Sequence, residues 1–583
     1  MNILKTFLEM ISYRENLDRE GFILQETKDE KIAGPDSDGK AADKEISDKP
    51  RAKKRNFIKP RRPSEINYGD PAEKTDSAKT DSASSSLAEN REVINRLYGL
   101  PDNKDIITRD FFLGMNSAYK GMAVFIDGLT DKAVQDLLFQ ALMLFAVPPD
   151  ADRGKLAKLV MKALLPGNQV KVISSFKDIL AAVNMGDTVL FFDGCAGAVV
   201  VETKGWEHRG VERPVTEQSI QGPQEAFNET LRANTALLRK IIKNENLTTE
   251  FSVVGQRSQT MIAVMYLRDL ANPDLVKEVK RRINSIKTDS ILDSGVLEQF
   301  IEEHPYNLHP TALATERPDR VASKILEGRV AIIVDGSPNV LTVPTTMYEQ
   351  LQTGEEMYIH WQYGTFVRWL RAVAFLLSFL LPGLYLAVVL YHQEMIPTEL
   401  ILAIAGNREK VPFPSIVEVL LMELSFELIR EAGLRIPGVM GATIGIVGAL
   451  ILGQAAVQAN IVSPILVILV SVTGLASFAI PYHSLAFSLR IYRFVYIALG
   501  STLGIFGIAM GLIAHVTLTA NLKSFGVPYL APTGPRTADW TDIVTVAPAF
   551  FHERRPDYIN PLDMTRQPQV SRGWIKDGGN KDD

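Results

Sequence analysis

The residues whose types and spacing could do chemistry lie inside the most apolar part of this chain. A helix is expected over about 438–461, and at about 100° per residue it carries Thr443, Val447, Leu450, Gln454 and Gln458 on one stripe. Gly441, Gly445, Gly448, Ala455 and Ala459 fall on the other side. Lipid calls for neither stripe. Small residues let a neighbouring helix approach closely, and amides at membrane depth need partners or water. The polar stripe is therefore read as pore-lining, with Val447 and Leu450 as a hydrophobic constriction that closes by dewetting.

A second helix, from Ser415 to about Ala432, carries Glu418, Glu423, Glu427, Arg430 and Glu431. Several ionisable groups are too costly to place against lipid, so this helix should lie along the interface, re-enter part-way, or bury its charges at a subunit contact. Two readings stay open for it: an acidic ring at a cation-conducting vestibule, and a paired network with Arg430 and Arg435. Ser415 followed three residues later by Glu418 also spells a capping box.

No reaction centre is expected. The chain has no phosphate-binding glycine loop, nucleophile elbow or His–Glu metal pair. Its eight histidines are scattered, and His208, His304 and His515 read as surface or packing residues. The single cysteine, Cys195, excludes an intramolecular disulfide and a cysteine-cluster metal site, and reads as a small residue in a tight turn. Asp289 and Asp293 lack further oxygen ligands at loop spacing, so they read as caps. Neither catalysis, cofactor nor metal is expected, and a net charge of −5 argues against nucleic acid as a partner.

The elements that must position these residues form a sequence of contrasting blocks. Residues 1–90 read as a charged, disordered extension, poor in aromatics. Its short apolar start, broken at Glu9, is too brief for a secretory segment. A basic run from Arg51 to Arg62 reads as solvated linker or as a strand of charge on an anionic leaflet. Residues 91–210 and 211–360 read as two similar α/β subdomains, because the run from helix to strand to Asp-Gly turn to strand at 174–202 is echoed at 319–343. Asp193 and Asp335 are turn residues in that reading, and Met122 to Gly128 is a weaker third copy. Residues 361–523 read as an α-helical polytopic membrane domain with four spans plus the charged helix. Pro382-Gly383 should kink the first span, and Gly500, Gly504, Gly507 and Gly511 should form a close-packing face on the last. Arg368 and Arg371 place the soluble part on the cytoplasmic side, whereas Arg490 and Arg493 do not fit the four-span count. Residues 524–583 read as a cytoplasmic, proline-rich tail without a compact core of its own, expected to pack back against the soluble domain or the membrane surface.

Together these segments resemble the A subunit of the GerA family of spore germinant receptors. The likeness runs from about Asp110 to Pro535. It rests on Asp193-Gly194, Gly210-Val211-Glu212-Arg213-Pro214, Gly222-Pro223-Gln224-Glu225-Ala226-Phe227, Gly255-Gln256-Arg257-Ser258, Thr315-Glu316-Arg317-Pro318-Asp319, Val334-Asp335-Gly336-Ser337-Pro338, Pro412-Phe413-Pro414, Gly453-Gln454-Ala455-Ala456 and Phe525-Gly526-Val527-Pro528-Tyr529. Gln221, Gln224 and Gln259 depart from the basic residues of many relatives. The resemblance implies a multi-pass protein of the spore inner membrane, with its soluble domain and tail on the core side. It further implies a homo-oligomeric ring, with a pentamer as the expected form, that conducts ions when nutrient binds. Its partners would be a transporter-like B subunit and a lipoprotein C subunit. A non-conducting scaffold that assembles the receptor is the alternative.

Overall fold

The computed structural model describes residues 82–114, 119–144, 153–163, 170–205, 216–435, 453–537 and 545–568, with isolated positions between them. The extension up to residue 81, its basic run, and Thr443, Val447 and Leu450 of the expected pore stripe lie outside the described residues.

The two α/β units have one topology. In the first, β1 (Ile106–Leu113), β2 (Tyr119–Ile126), β3 (Val170–Ile173), β4 (Thr188–Phe192) and β5 (Ala198–Val201) lie in the order β1-β2-β4-β5-β3. In the second, β6 (Leu247–Val254), β7 (Thr260–Leu267), β8 (Leu313–Thr315), β9 (Val330–Val334) and β10 (Val340–Val343) lie in the order β6-β7-β9-β10-β8. Every pairing in both is antiparallel. The echoed Asp-Gly turns match as well, since Gly194 and Gly336 both take φ +85°, which only glycine adopts readily. Asp193 and Asp335 are accordingly turn residues.

Both faces of each sheet are covered, which is why the central strands are nearly continuous apolar runs rather than alternating. On the first sheet, Val189 and Phe191 face α1 (Leu87–Tyr98) and α4 (Phe176–Asn184), while Leu190 and Phe192 face α2 (Lys132–Leu144) and α3 (Leu156–Ala163). On the second, Val330, Ile332 and Val334 face α6 (Pro273–Ser285) and α7 (Ser294–Ile301), while Ala331 and Ile333 face α5 (Leu231–Ile241) and α8 (Pro318–Leu326). Each of these side chains except Ala331 contributes about 1.5–3 kcal/mol on burial. The first unit is already in place at Ala83, which is buried in its core and donates its backbone N–H to Ser174 O.

The tail belongs to the second unit. Phe525, Val527 and Ala531 enter its core, and Met347, at the start of the short helix α9 (Met347–Leu351), donates its N–H to Tyr529 O. Tyr558 reaches Glu349 at 2.9 Å, and Leu562 N donates to Leu270 O.

The helical half begins with α10 (Trp361–Tyr391), followed by α11 (Thr398–Arg408), the charged α12 (Ser415–Arg435), α13 (Pro464–Phe478) and α14 (His483–Ala520). The apolar stretch read as a single last span folds back on itself. Gly504 breaks α14 with φ 63°, ψ −147°. A straight helix would hold Tyr492 and His515 roughly 35 Å apart, yet their rings stack at 4.1 Å. The glycines serve this hairpin one by one. A Cβ at Gly500 would stand 2.2 Å from Gly383 O on α10, and one at Gly507 would stand 2.5 Å from Leu499 O in the opposite arm. Tyr391 caps the hairpin tip by donating to Ser501 O at 2.8 Å.

A buried charge cluster among apolar helices

Pro382 lies inside α10 without ending it. Proline has no N–H, so the carbonyl four residues earlier, Ser378 O, loses its helical donor. Arg493 of α14 replaces it, with Nε 2.7 Å from that oxygen. The same guanidinium donates through Nη1 to Glu423 of α12 at 2.6 Å and stands 3.7 Å from Glu427. Arg430 pairs with Glu427 one turn along. Glu423 and Arg493 are almost wholly sealed from solvent, 0% and 1% exposed, so removing either partner would leave the other's charge buried and uncompensated.

Of the five acidic and basic residues singled out on this helix, Glu423 and Glu427 thus converge on one partner from another helix, and Arg430 joins them through Glu427. The other two do not. Glu431 lies on the exposed side. Glu418 is buried but closes no capping box; its carboxylate accepts from Ser463 N at 3.1 Å and faces Arg408 at 3.7 Å, while Ser415 Oγ is left without a partner. Arg493, whose charge did not fit the four-span count, is the residue that sequence reasoning missed as a site residue. The available signal was Pro382, which frees a carbonyl at a known position, but only spatial proximity reveals which donor takes it.

The cluster is not closed. Glu423 Oε1, Glu427 Oε1, Arg430 Nη1, Arg490 Nε and Arg493 Nη2 are buried without a hydrogen-bond partner. Such atoms are costly unless water or a neighbouring chain reaches them. Nearby, Gln454 and Gln458 of the expected stripe lie on a helical stretch at 453–458 with both amides exposed on the single chain.

Where the helices meet the second α/β unit, polar contacts fix the junction at each chain crossing. Arg368 donates to Glu356 at 2.6 Å, and Arg371 also bonds Glu356. Tyr482, before α14, donates to Ala312 O at 3.2 Å and accepts from Ala314 N at 3.1 Å. At the other arm of the hairpin, His515 is a packing residue. Its Nε2 meets His309 Nε2 at 2.9 Å, with Tyr492 and Phe379 against the ring. One nitrogen must donate and the other accept, so the two cannot both be charged. Burial, with His515 beside it, pushes His309 down to about 3. Deeper in the unit, Arg329 bonds Glu349; burial alone would raise that carboxyl, but the guanidinium holds it below its ordinary value. Of the paired aspartates, Asp293 caps α7 through Gly295 N at 2.9 Å and Asp289 pairs with Arg257 at 3.0 Å. Cys195 is buried in its turn, with Sγ 2.7 Å from Arg153 O. Gln221 contributes its backbone N–H to Glu355 at 3.1 Å, and Gln259 holds a turn at φ 47°.

These features define a two-part protein, an antiparallel α/β body of two like units joined to a bundle of apolar helices with a buried cluster of paired charges. The chain belongs to the GerA family: residues 92–558 match the family described as Bacillus/Clostridium GerA spore germination protein. It is 38% identical over 501 residues to Spore germination protein KA of Bacillus subtilis, covering 84% of this chain and 91% of that one. It is 39% identical over 485 residues to Spore germination protein B1 of the same organism, covering 83% and 99%. Uncharacterized membrane protein YfkQ, also from Bacillus subtilis, is 39% identical over 454 residues, covering 78% and 87%. Among solved structures, the N-terminal domain of the A subunit of the Bacillus megaterium spore germinant receptor GerK3 is similar, with 34% identity and a TM-score of 0.37 over 45% of this chain and 96% of that one.

Proposed function

We propose that this protein is the A subunit of a nutrient-responsive germinant receptor, embedded in the spore inner membrane, and that copies of it ring a ligand-gated cation channel. The observation that carries this reading is the exposure of Gln454 and Gln458 on a single chain, next to helices whose outward residues are mainly apolar. Two amides at that depth need water or another copy, and a conduit formed between copies supplies both. The outward apolar surface is large: Leu376, Leu428, Leu475, Phe506 and Ile513 are each at least half exposed, which a lipid environment explains. Thr443, Val447 and Leu450 complete the proposed pore wall, with Val447 and Leu450 closing it by dewetting.

Both ends of the helical half join the second α/β unit, so a tilt of that unit would move α10 and the α14 hairpin together. A transporter-like B subunit and a lipoprotein C subunit are the partners in this reading. Nutrient would act by binding one arrangement better than the other. The soluble body and tail lie on the core side, because α10 leaves the body at Arg368 and Arg371 and the hairpin returns to it.

A second reading, a scaffold that conducts nothing, draws on the pairing of Glu423 and Glu427 with arginines, which leaves no bare acidic ring on α12 among the described residues. Ion flux from liposomes holding the purified receptor subunits, with and without candidate nutrients, separates the two. Channel activity requires nutrient-dependent flux that Val447→Ala makes easier to trigger; no flux under any nutrient, with the complex assembled, leaves the scaffold.

A further inference from the structure

The tail carries an apolar turn that none of the cores uses. From Val546 to Phe551 every side chain is apolar, and Arg554 and Arg555 follow closely. The turn Ala549–Phe551 presents Phe550 and Phe551, 37% and 65% exposed, with their rings 4.8 Å apart. Phe551, two-thirds exposed at the tip of an apolar turn, offers an apolar surface that a covering layer would match.

Their position says which surface. Val546 N donates to Thr365 Oγ1 at 3.0 Å, and Arg368 Nη1 donates to Thr545 O at 3.3 Å. Val546 also packs on Gly364, where a Cβ would come within 3.2 Å of it. The tail is thus strapped across the opening turns of α10. Arg371, bound to Glu356, is the last charge on that helix, and the residues from Ala372 to Tyr391 are uncharged, enough to cross a hydrocarbon core of about 30 Å. Thr365 precedes Ala372 by roughly 10 Å along the axis. Exposed Trp361, Tyr363, Phe366 and Trp369 surround these same turns, the side chains that favour the water–lipid boundary.

We propose that the Phe550–Phe551 turn is a second membrane contact, a foot that lies in the headgroup layer beside α10 and ties the tail to the bilayer surface. Exposed Arg554 adds a positive charge suited to anionic headgroups. The proposal rests on the reading of α10 as a membrane span. Through the strap to Thr365 and the Tyr558–Glu349 contact, such a foot would fix the second α/β unit relative to the membrane plane.

Nitroxide accessibility tests it in the full chain reconstituted in liposomes of phosphatidylcholine and phosphatidylglycerol. Cys195→Ser removes the single native thiol, and labels are then placed by Phe551→Cys, by Phe550→Cys as an independent second site, by Leu376→Cys on the outward face of α10 and by Leu292→Cys on the soluble body. The expected result is an oxygen-to-nickel-chelate accessibility ratio at 551 and 550 several-fold above that at 292 and approaching that at 376. Water-like values at 551 and 550 with lipid-like values at 376 overturn the foot alone. Labels at 551 and 550 shielded from both reagents also overturn it, and place protein, such as a second copy, on the turn. Water-like values at 376 remove the membrane reading of α10 and the foot with it.

Discussion

Arg239 in the soluble half and Arg493 in the helical half are both sealed from solvent and both bonded to a carboxylate, yet their surroundings differ. Arg239, on α5 of the second unit, reaches across to Asp105 at 2.6 Å and Asn103 at 2.9 Å beside β1 of the first unit, and also to Leu247 O at 2.9 Å. Thr249 completes the set by donating to Asp105 at 2.9 Å. None of these side chains leaves a buried polar atom unpartnered, whereas the Arg493 cluster leaves five. A satisfied network acts as a rigid joint, here between the two α/β units. An incomplete one needs water or a neighbour, which makes it the natural place for rearrangement.

The sharpest way to break that contrast is to open the closed joint. Asp105→Ala leaves the Arg239 charge buried and unpaired, and should cost about 3–5 kcal/mol of stability, measured by chemical denaturation of the purified protein. A cost under about 1 kcal/mol would show that water already reaches the joint.

Gly500→Ala probes how rigidly the helical half is framed around its open cluster. The added methyl would meet the backbone of Gly383, not a flexible side chain. A loss of about 1–3 kcal/mol is expected, read as a lower midpoint of thermal unfolding in detergent, whereas Gly406→Ala, with nothing within 4 Å, should leave the midpoint unchanged or raise it.

Double-mutant cycles then compare the two pairs directly. The coupling between Glu423 and Arg493, measured with Gln substitutions, should fall in the lower part of the usual range of about 0.5–3 kcal/mol, and below that between Asp105 and Arg239. Equal couplings would mean that the helical cluster is as closed as the joint.

A further effect is a pH slope near the junction. Burial, with Glu302 and Asp293 nearby, pushes Glu298 up to about 8. The folded state therefore holds a proton that the unfolded state releases, so the contribution of Glu298 to stability falls as pH rises from about 4.5 to 8, most visibly above 6.5. Glu298→Gln should flatten that decline in a pH series of unfolding midpoints. His309 acts in the opposite sense at lower pH, because its folded value near 3 lies below the ordinary one, so its contribution falls as pH drops from 6.5.

The paired α/β units were legible because they repeat. Helix, strand, Asp-Gly and strand recur at 174–202 and 319–343, and a glycine-dependent turn between two mostly apolar strands has few other uses. For the tail, the converse held: its packing back was legible, but not the residues that do it. Phe525, Val527 and Ala531 are spread among prolines and glycines with no period, and only the second sheet gives them a surface to cover. The glycines of 500–511 announced close packing but not its partners: Gly500 serves α10, while Gly504 turns the chain so that Gly507 meets its own helix's other arm. Helical periodicity runs across a single residue at positive φ, so an apolar stretch of that length reads as one straight rod.

Composition and local spacing by themselves determined that this chain has a charged extension, two like α/β units and an apolar helical half, because burying or exposing each block is settled by its own residues. Which charges meet was decided only in three dimensions. Arg493 finds Glu423 and the carbonyl freed by Pro382 because three helices, far apart in sequence, converge at one depth, and an ion pair's energy depends on a distance that no sequence pattern states.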